Sequence, residues 1–112
     1  MRKKVVTILG AFGLAATALV AVPQQAHAAS ACTSLNGPAG GKLPLCKTWN
    51  WDGNDYDGSW RTNGPSTLPS QSYLQRSEDG RVVNSAYSGT YNDKSKVYFR
   101  ICDSRAGCAG WW

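Results

Sequence analysis

After its first 28 positions the chain keeps no helical period, and several stretches alternate apolar and polar residues at the period of a β-strand. Residues 96–102 alternate most cleanly: Val97, Phe99 and Ile101 fall on one face, and Lys96, Tyr98 and Arg100 on the other. Residues 45–51 place Leu45, Trp49 and Trp51 on one side and Cys46, Thr48 and Asn50 on the other, with Lys47 as the blemish on the apolar side. A short strand is predicted at 59–62 and another at 71–76. Residues 77–80 (SEDG) read as a hairpin turn with glycine at the left-handed position. The next strand is predicted to run from 81 to 91, with Gly89 as a bulge. Residues 52–58 (DGNDYDG) and 63–70 are dense in turn formers. Residues 29–44 carry Asn36-Gly37-Pro38 and Gly40-Gly41 and no apolar period, so they read as a flexible N-terminal arm pinned only by Cys32. The pattern predicts an all-β protein: a small single-domain β-sandwich or partly open barrel over 45–112. Three strands at 71–102 should form a meander, with the 45–62 ribbon packed on it.

The chain has 112 residues. Residues 1–28 differ from the rest: Arg2, Lys3 and Lys4 precede an apolar run from Val5 to Val22, and Ala26-His27-Ala28 gives a small-x-small cleavage pattern. This is the grammar of a secretory signal peptide. The expected product is a mature chain in the extracellular space, with no membrane segment and no lipid. Its size allows one small core, which commonly needs covalent staples. The formal charge of +5 also shrinks on maturation. Of 12 Lys and Arg, three lie in the leader; the remaining nine face seven Asp and Glu, leaving +2. Nucleic acid is not an expected partner at that charge. The single histidine, His27, lies in the leader as well. Histidine-based nucleophilic catalysis and histidine metal sites are therefore not available to the mature chain.

Cys32, Cys46, Cys102 and Cys108 are even in number and belong to the mature part. In an oxidising compartment they should form two disulfides. A zinc site lacks the close Cys-x2-Cys pairing it would need. Local pairing, Cys32–Cys46 with Cys102–Cys108, would close two glycine-containing loops. Crossed pairings would constrain longer loops and stay open at this level.

Beyond the leader there are nine Leu, Ile and Val residues against eleven aromatics. Two readings compete for them. Trp49, Trp51, Tyr56 and Trp60 either supply the core that aliphatics cannot or form part of an exposed stacking platform. Trp111 and Trp112 are adjacent, so in an extended segment they point opposite ways and at least one should be exposed. These six aromatics are the candidate binding residues. Asp52, Asp55 and Asp57 crowd one loop, but the spacing misses the EF-hand because Asp57 stands where glycine is required. Turn capping is the expected role, and no metal or cofactor is expected. Arg105 at the apex of Cys102–Cys108, and Lys42 between Cys32 and Cys46, are the residues a small protease inhibitor would present on a stapled loop. So small a domain has little room for a substrate cleft, so no catalytic residue is assigned and no enzymatic activity is expected.

With its signal peptide, size, four cysteines and β pattern, the chain resembles the small secreted disulfide-stapled proteins of actinobacteria. Some of these serve as adaptor subunits of secreted antibacterial particles. The resemblance implies a non-enzymatic module that docks on another secreted protein. The alternatives are a module for cell-wall or other glycan, and an inhibitor acting through Arg105 or Lys42. No family residue is carried over.

Overall fold

The computed structural model describes residues 28–112, so the signal peptide expected at 1–28 lies outside the described residues but for Ala28. Eight strands follow in order: β1 (Ala28–Asn36), β2 (Lys42–Trp51), β3 (Tyr56–Thr62), β4 (Ser72–Glu78), β5 (Arg81–Asn84), β6 (Gly89–Lys94), β7 (Val97–Asp103) and β8 (Gly107–Cys108). They form two antiparallel four-stranded sheets, β1-β2-β3-β6 and β5-β4-β7-β8. The all-β, two-disulfide architecture read from the pattern is the one observed, with Cys32 joined to Cys46 and Cys102 to Cys108. Each bridge joins residues directly opposite each other in one hairpin.

The core lies between the sheets. Leu35, Leu43, Leu45, Trp60 and Tyr91 come from the first; Leu74, Phe99 and Ile101 come from the second. Phe99 and Ile101 are fully buried while Tyr98 is 42% exposed, which is the face assignment expected for residues 96–102. In β2 the alternation holds except at Cys46, which is buried in its disulfide: Leu45 is buried, Trp49 and Trp51 half-buried, and Thr48 and Asn50 exposed.

Three expectations are corrected. The arm at 29–44 is not free. Its first half is β1, paired with β2 from Ala28↔Asn50 to Asn36↔Lys42, and Leu35 enters the core. The segment is poor in apolar residues because an edge strand needs only its inner side covered. The strand predicted from 81 to 91 is broken at 85–88, where the chain leaves one sheet and enters the other. The meander at 71–102 is therefore a β4–β5 hairpin. β6 then joins β3, and β7 returns to the far side of β4. Gly89 is no bulge but a close approach. A Cβ there would stand 2.6 Å from the Trp60 ring, whose Nε1 donates to the Ala86 carbonyl. Trp112 exchanges both backbone hydrogen bonds with Phe99, so the tail beyond Cys108 extends β8 along β7.

The crossings are tied down by side chains. The β4–β5 turn places Asp79 and Gly80 at positive φ, a hairpin geometry that fits the twist of the strands. From that turn, Asp79 Oδ1 accepts the N–H groups of Ser95 and Lys96 and so clamps the β6–β7 crossing.

Candidate functional site

At the end of the sandwich where β6 crosses to β7, the sheets part into a groove of about 210 Å³. Lys47 and Trp49 of β2, Tyr56 of β3, Lys94 of β6, Lys96 of the crossing and Tyr98 of β7 line it. Its floor depends on Gly58. In register this residue lies opposite Trp49 on one side and Tyr91 on the other. A side chain there would collide with the Tyr91 hydroxyl and the Thr48 carbonyl. The absent side chain lets Tyr91 lie across the strand and donate to the Thr48 carbonyl at 2.7 Å. Burial, and to a smaller extent the Asp57 charge, push the Tyr91 phenol above its usual range, so it stays a protonated donor.

Lys47 is the unusual wall. Its ammonium sits 4.1 Å from the centre of the Trp112 ring and about 6 Å from those of Tyr98 and Phe99. Burial lowers its pKa. The ion pairs among the described residues are Arg76–Glu78 and Lys94–Glu78, the latter at 3.6 Å, so Lys47 has no carboxylate partner there. Cation–π contact offsets part of its desolvation.

The candidate aromatics divide three ways. Trp49 and Tyr56 are in the groove. Trp51 packs at a tilt against Tyr56, with ring centres 5.0 Å apart, and supports it from the end of the β2–β3 hairpin. Trp60 is only 4% exposed, with Arg76 lying over its ring, so of the two readings it takes the core one. Its position opposite Lys47 puts it on the inner face of the sheet. Of the terminal pair, Trp111 is 39% exposed and carries the Arg100 guanidinium on its ring at 4.1 Å. Trp112 is half-buried, packs on Phe99 and serves the core as well as Lys47. The sequence signal for the groove was the misplaced Lys47. Lys94, Lys96 and Tyr98 carried none, because nothing in their spacing shows that β6 crosses between sheets.

The acidic loop behaves as turn chemistry. Asp52 Oδ1 accepts the N–H groups of Asn54 and Asp55, and these bonds hold its carboxyl below the usual range. Asp57 Oδ1 accepts from Asp93 N. Carboxylate oxygens of Asp52, Asp57 and Asp93 lie within 4.8 Å of one another; those of Asp52 and Asp57 already serve backbone donors.

Arg105 is exposed at the tip of the Cys102–Cys108 loop, but in a turn and not in extended chain. Asp103 Oδ2 accepts the N–H groups of Arg105 and Ala106, and Asp103 Oδ1 accepts from Ser72 Oγ at 2.9 Å. The Arg105 N–H above all, then Ser72, Ala106 and the Arg105 charge, hold the Asp103 carboxyl below the usual range despite burial. Lys42 likewise has its N–H on Thr67 Oγ1 and its carbonyl on Thr67 N. Neither residue offers the free extended backbone on which a protease pairs a substrate-like segment.

No family model matches the chain, and no curated protein or solved structure does.

Proposed function

We propose that the protein is a secreted, non-enzymatic binding module whose ligand is an extracellular glycan seated in the groove between the sheets. The observation that carries this reading is the groove itself. Trp49, Tyr56 and Tyr98 present ring surface in a concave space, and Lys47, Lys94 and Lys96 supply donors around it. Few polar groups placed among aromatic walls are the usual make-up of a small-ligand site. The two disulfides are compatible with an extracellular setting, and among the described residues no helix is long and apolar enough to cross a membrane. The test is binding of the mature, oxidised protein to an array of extracellular polysaccharides and cell-wall fragments. Retention that is lost in Trp49→Ala and Tyr98→Ala, and kept in Trp111→Ala, supports the reading. Retention by none of the array, or retention indifferent to all three changes, overturns it.

A second reading, an adaptor that docks on another secreted protein, draws on a different observation. β1 is the edge of its sheet, runs nine residues and carries neither a charge nor a proline. Edge strands of this kind are open to pairing by a partner strand unless something blunts them. A pull-down from native culture supernatant that recovers a stoichiometric protein, and loses it with Ser30→Lys and Ser34→Lys on the exposed edge, favours this reading over the first.

A further inference from the structure

The chemistry of the groove narrows its ligand, given the reading of the groove as the binding site. Lys47 stands in a row of inward residues between Leu45 and Trp49, opposite Trp60, where an aliphatic side chain would serve the core better. An ammonium half-buried without a carboxylate is costly. The rings of Trp112, Tyr98 and Phe99 offset part of that cost, but ring faces accept none of its three N–H donors in an ordinary hydrogen bond. Lys94 and Lys96 add positive charge at the rim. The carboxylate paired there, Glu78, is shared between Lys94 and Arg76 and leaves Lys47 unserved. Asp79 reaches the same crossing, but its Oδ1 is taken up by two backbone N–H groups behind it. A cleft walled by cations focuses an attractive potential on anions.

Size and surface choose among anions. The volume of about 210 Å³ falls below that of drug-sized sites, roughly 300–1,000 Å³, and suits a single ring. Trp49, Tyr56 and Tyr98 offer that ring a stacking surface which a bare sulfate or a short acidic side chain would leave unused. A neutral sugar could use the tyrosine and Ser95 hydroxyls, which accept as well as donate, but it would leave the charge of the three lysines, which only donate, unused. We infer that the groove takes an acidic sugar residue of an extracellular polyanionic glycan. Its carboxylate is held by Lys47 between Lys94 and Lys96, and its ring lies on the Trp49, Tyr56 and Tyr98 surfaces.

The test is a titration of the mature, oxidised protein with tetragalacturonate, with its methyl ester and with inorganic sulfate. Binding is read from tryptophan fluorescence and from the Trp49 indole and Lys47 Nζ resonances. The expected result is acid binding at least about tenfold tighter than ester binding, about 1.4 kcal/mol. Lys47→Met, which keeps the stem and removes the charge, should abolish that preference without lowering the melting temperature. Lys96→Gln, an exposed change that leaves the backbone contact with Asp79 in place, should weaken acid binding several-fold. Acid and ester binding alike, with the Trp49 resonance moving for both, overturns the anion assignment and keeps the groove as a glycan site. Sulfate displacing the tetramer at equal concentration overturns the role of the ring. No movement of the Trp49 or Lys47 resonances with any of the three probes overturns both this inference and the reading it rests on.

Discussion

Trp112 is the sharpest single test of how the end of the chain is used. Replacing it with alanine leaves the two backbone hydrogen bonds to Phe99 in place, because the substitution touches the side chain alone. What is lost is the tilted ring contact with Phe99, at 6.5 Å between centres, and the Lys47 ammonium over the indole. Full burial of a tryptophan is worth about 3–5 kcal/mol against alanine. Trp112 is only half-buried, so its packing share is about 2 kcal/mol, and the cation–π contact adds about 0.5–1 kcal/mol. The expected loss is about 2–3 kcal/mol. For a domain of this size that lowers the melting temperature by about 10–20 °C. Trp111→Ala is the matched control. Its ring is exposed and stacked only under Arg100, so about 0.5 kcal/mol is expected. The assay is urea and thermal unfolding of both variants with the disulfides intact. Equal losses for the two tryptophans, or a Trp112 loss under about 1 kcal/mol, would show that the tail is an appendage and that Lys47 is not held by it.

Three other outcomes follow from the packing of the fold. Phe99→Ala should cost about 3–5 kcal/mol in urea unfolding and Lys96→Ala close to nothing; similar costs would mean a one-residue slip of β7, which exchanges its faces. Gly89→Ala should destabilise by about 1–3 kcal/mol, because its Cβ would meet the Trp60 ring at 2.6 Å, and Gly110→Ala, with open space around it, should be tolerated. Asp103 has a folded pKa below its unfolded value of about 3.9, so its contribution is complete above that value and is lost as pH falls through the lower folded one. The urea midpoint of Asp103→Asn followed from pH 6 to pH 2.5 should therefore fall less steeply below about pH 4 than that of the parent; parallel curves would refute the assignment.

Much of the architecture was legible in the chain because strand faces are written locally. Val97, Phe99 and Ile101 announce their side by alternation alone, and the local cysteine pairing, which the sequence left beside crossed alternatives, is the one formed. What escaped depends on contacts between distant residues. Residues 29–36 look like loop because edge-strand residues such as Ser30 and Ser34 face solvent and need no apolar character. Residues 81–91 look like one strand because nothing local shows that Trp60, reached across the fold, occupies the space beside Gly89. The groove was half legible. Trp49 and Tyr56 stood out as aromatics and Lys47 as an interruption, but its lysine rim exists only because β6 and β7 lie in different sheets. Trp60 and Trp112 were left open in the sequence, since residue type alone does not distinguish an exposed indole from a buried one.

Both covalent bridges act within a sheet: Cys32–Cys46 spans 14 residues of the first and Cys102–Cys108 spans six of the second, and neither ties one sheet to the other. Each hairpin can therefore be oxidised as soon as its own few residues come together, without waiting for the distant half of the chain. The native pairing is also the sequential one, first cysteine with second and third with fourth. Pulled apart across the sheets, the molecule would yield as a noncovalent sandwich does, while each half keeps its own staple.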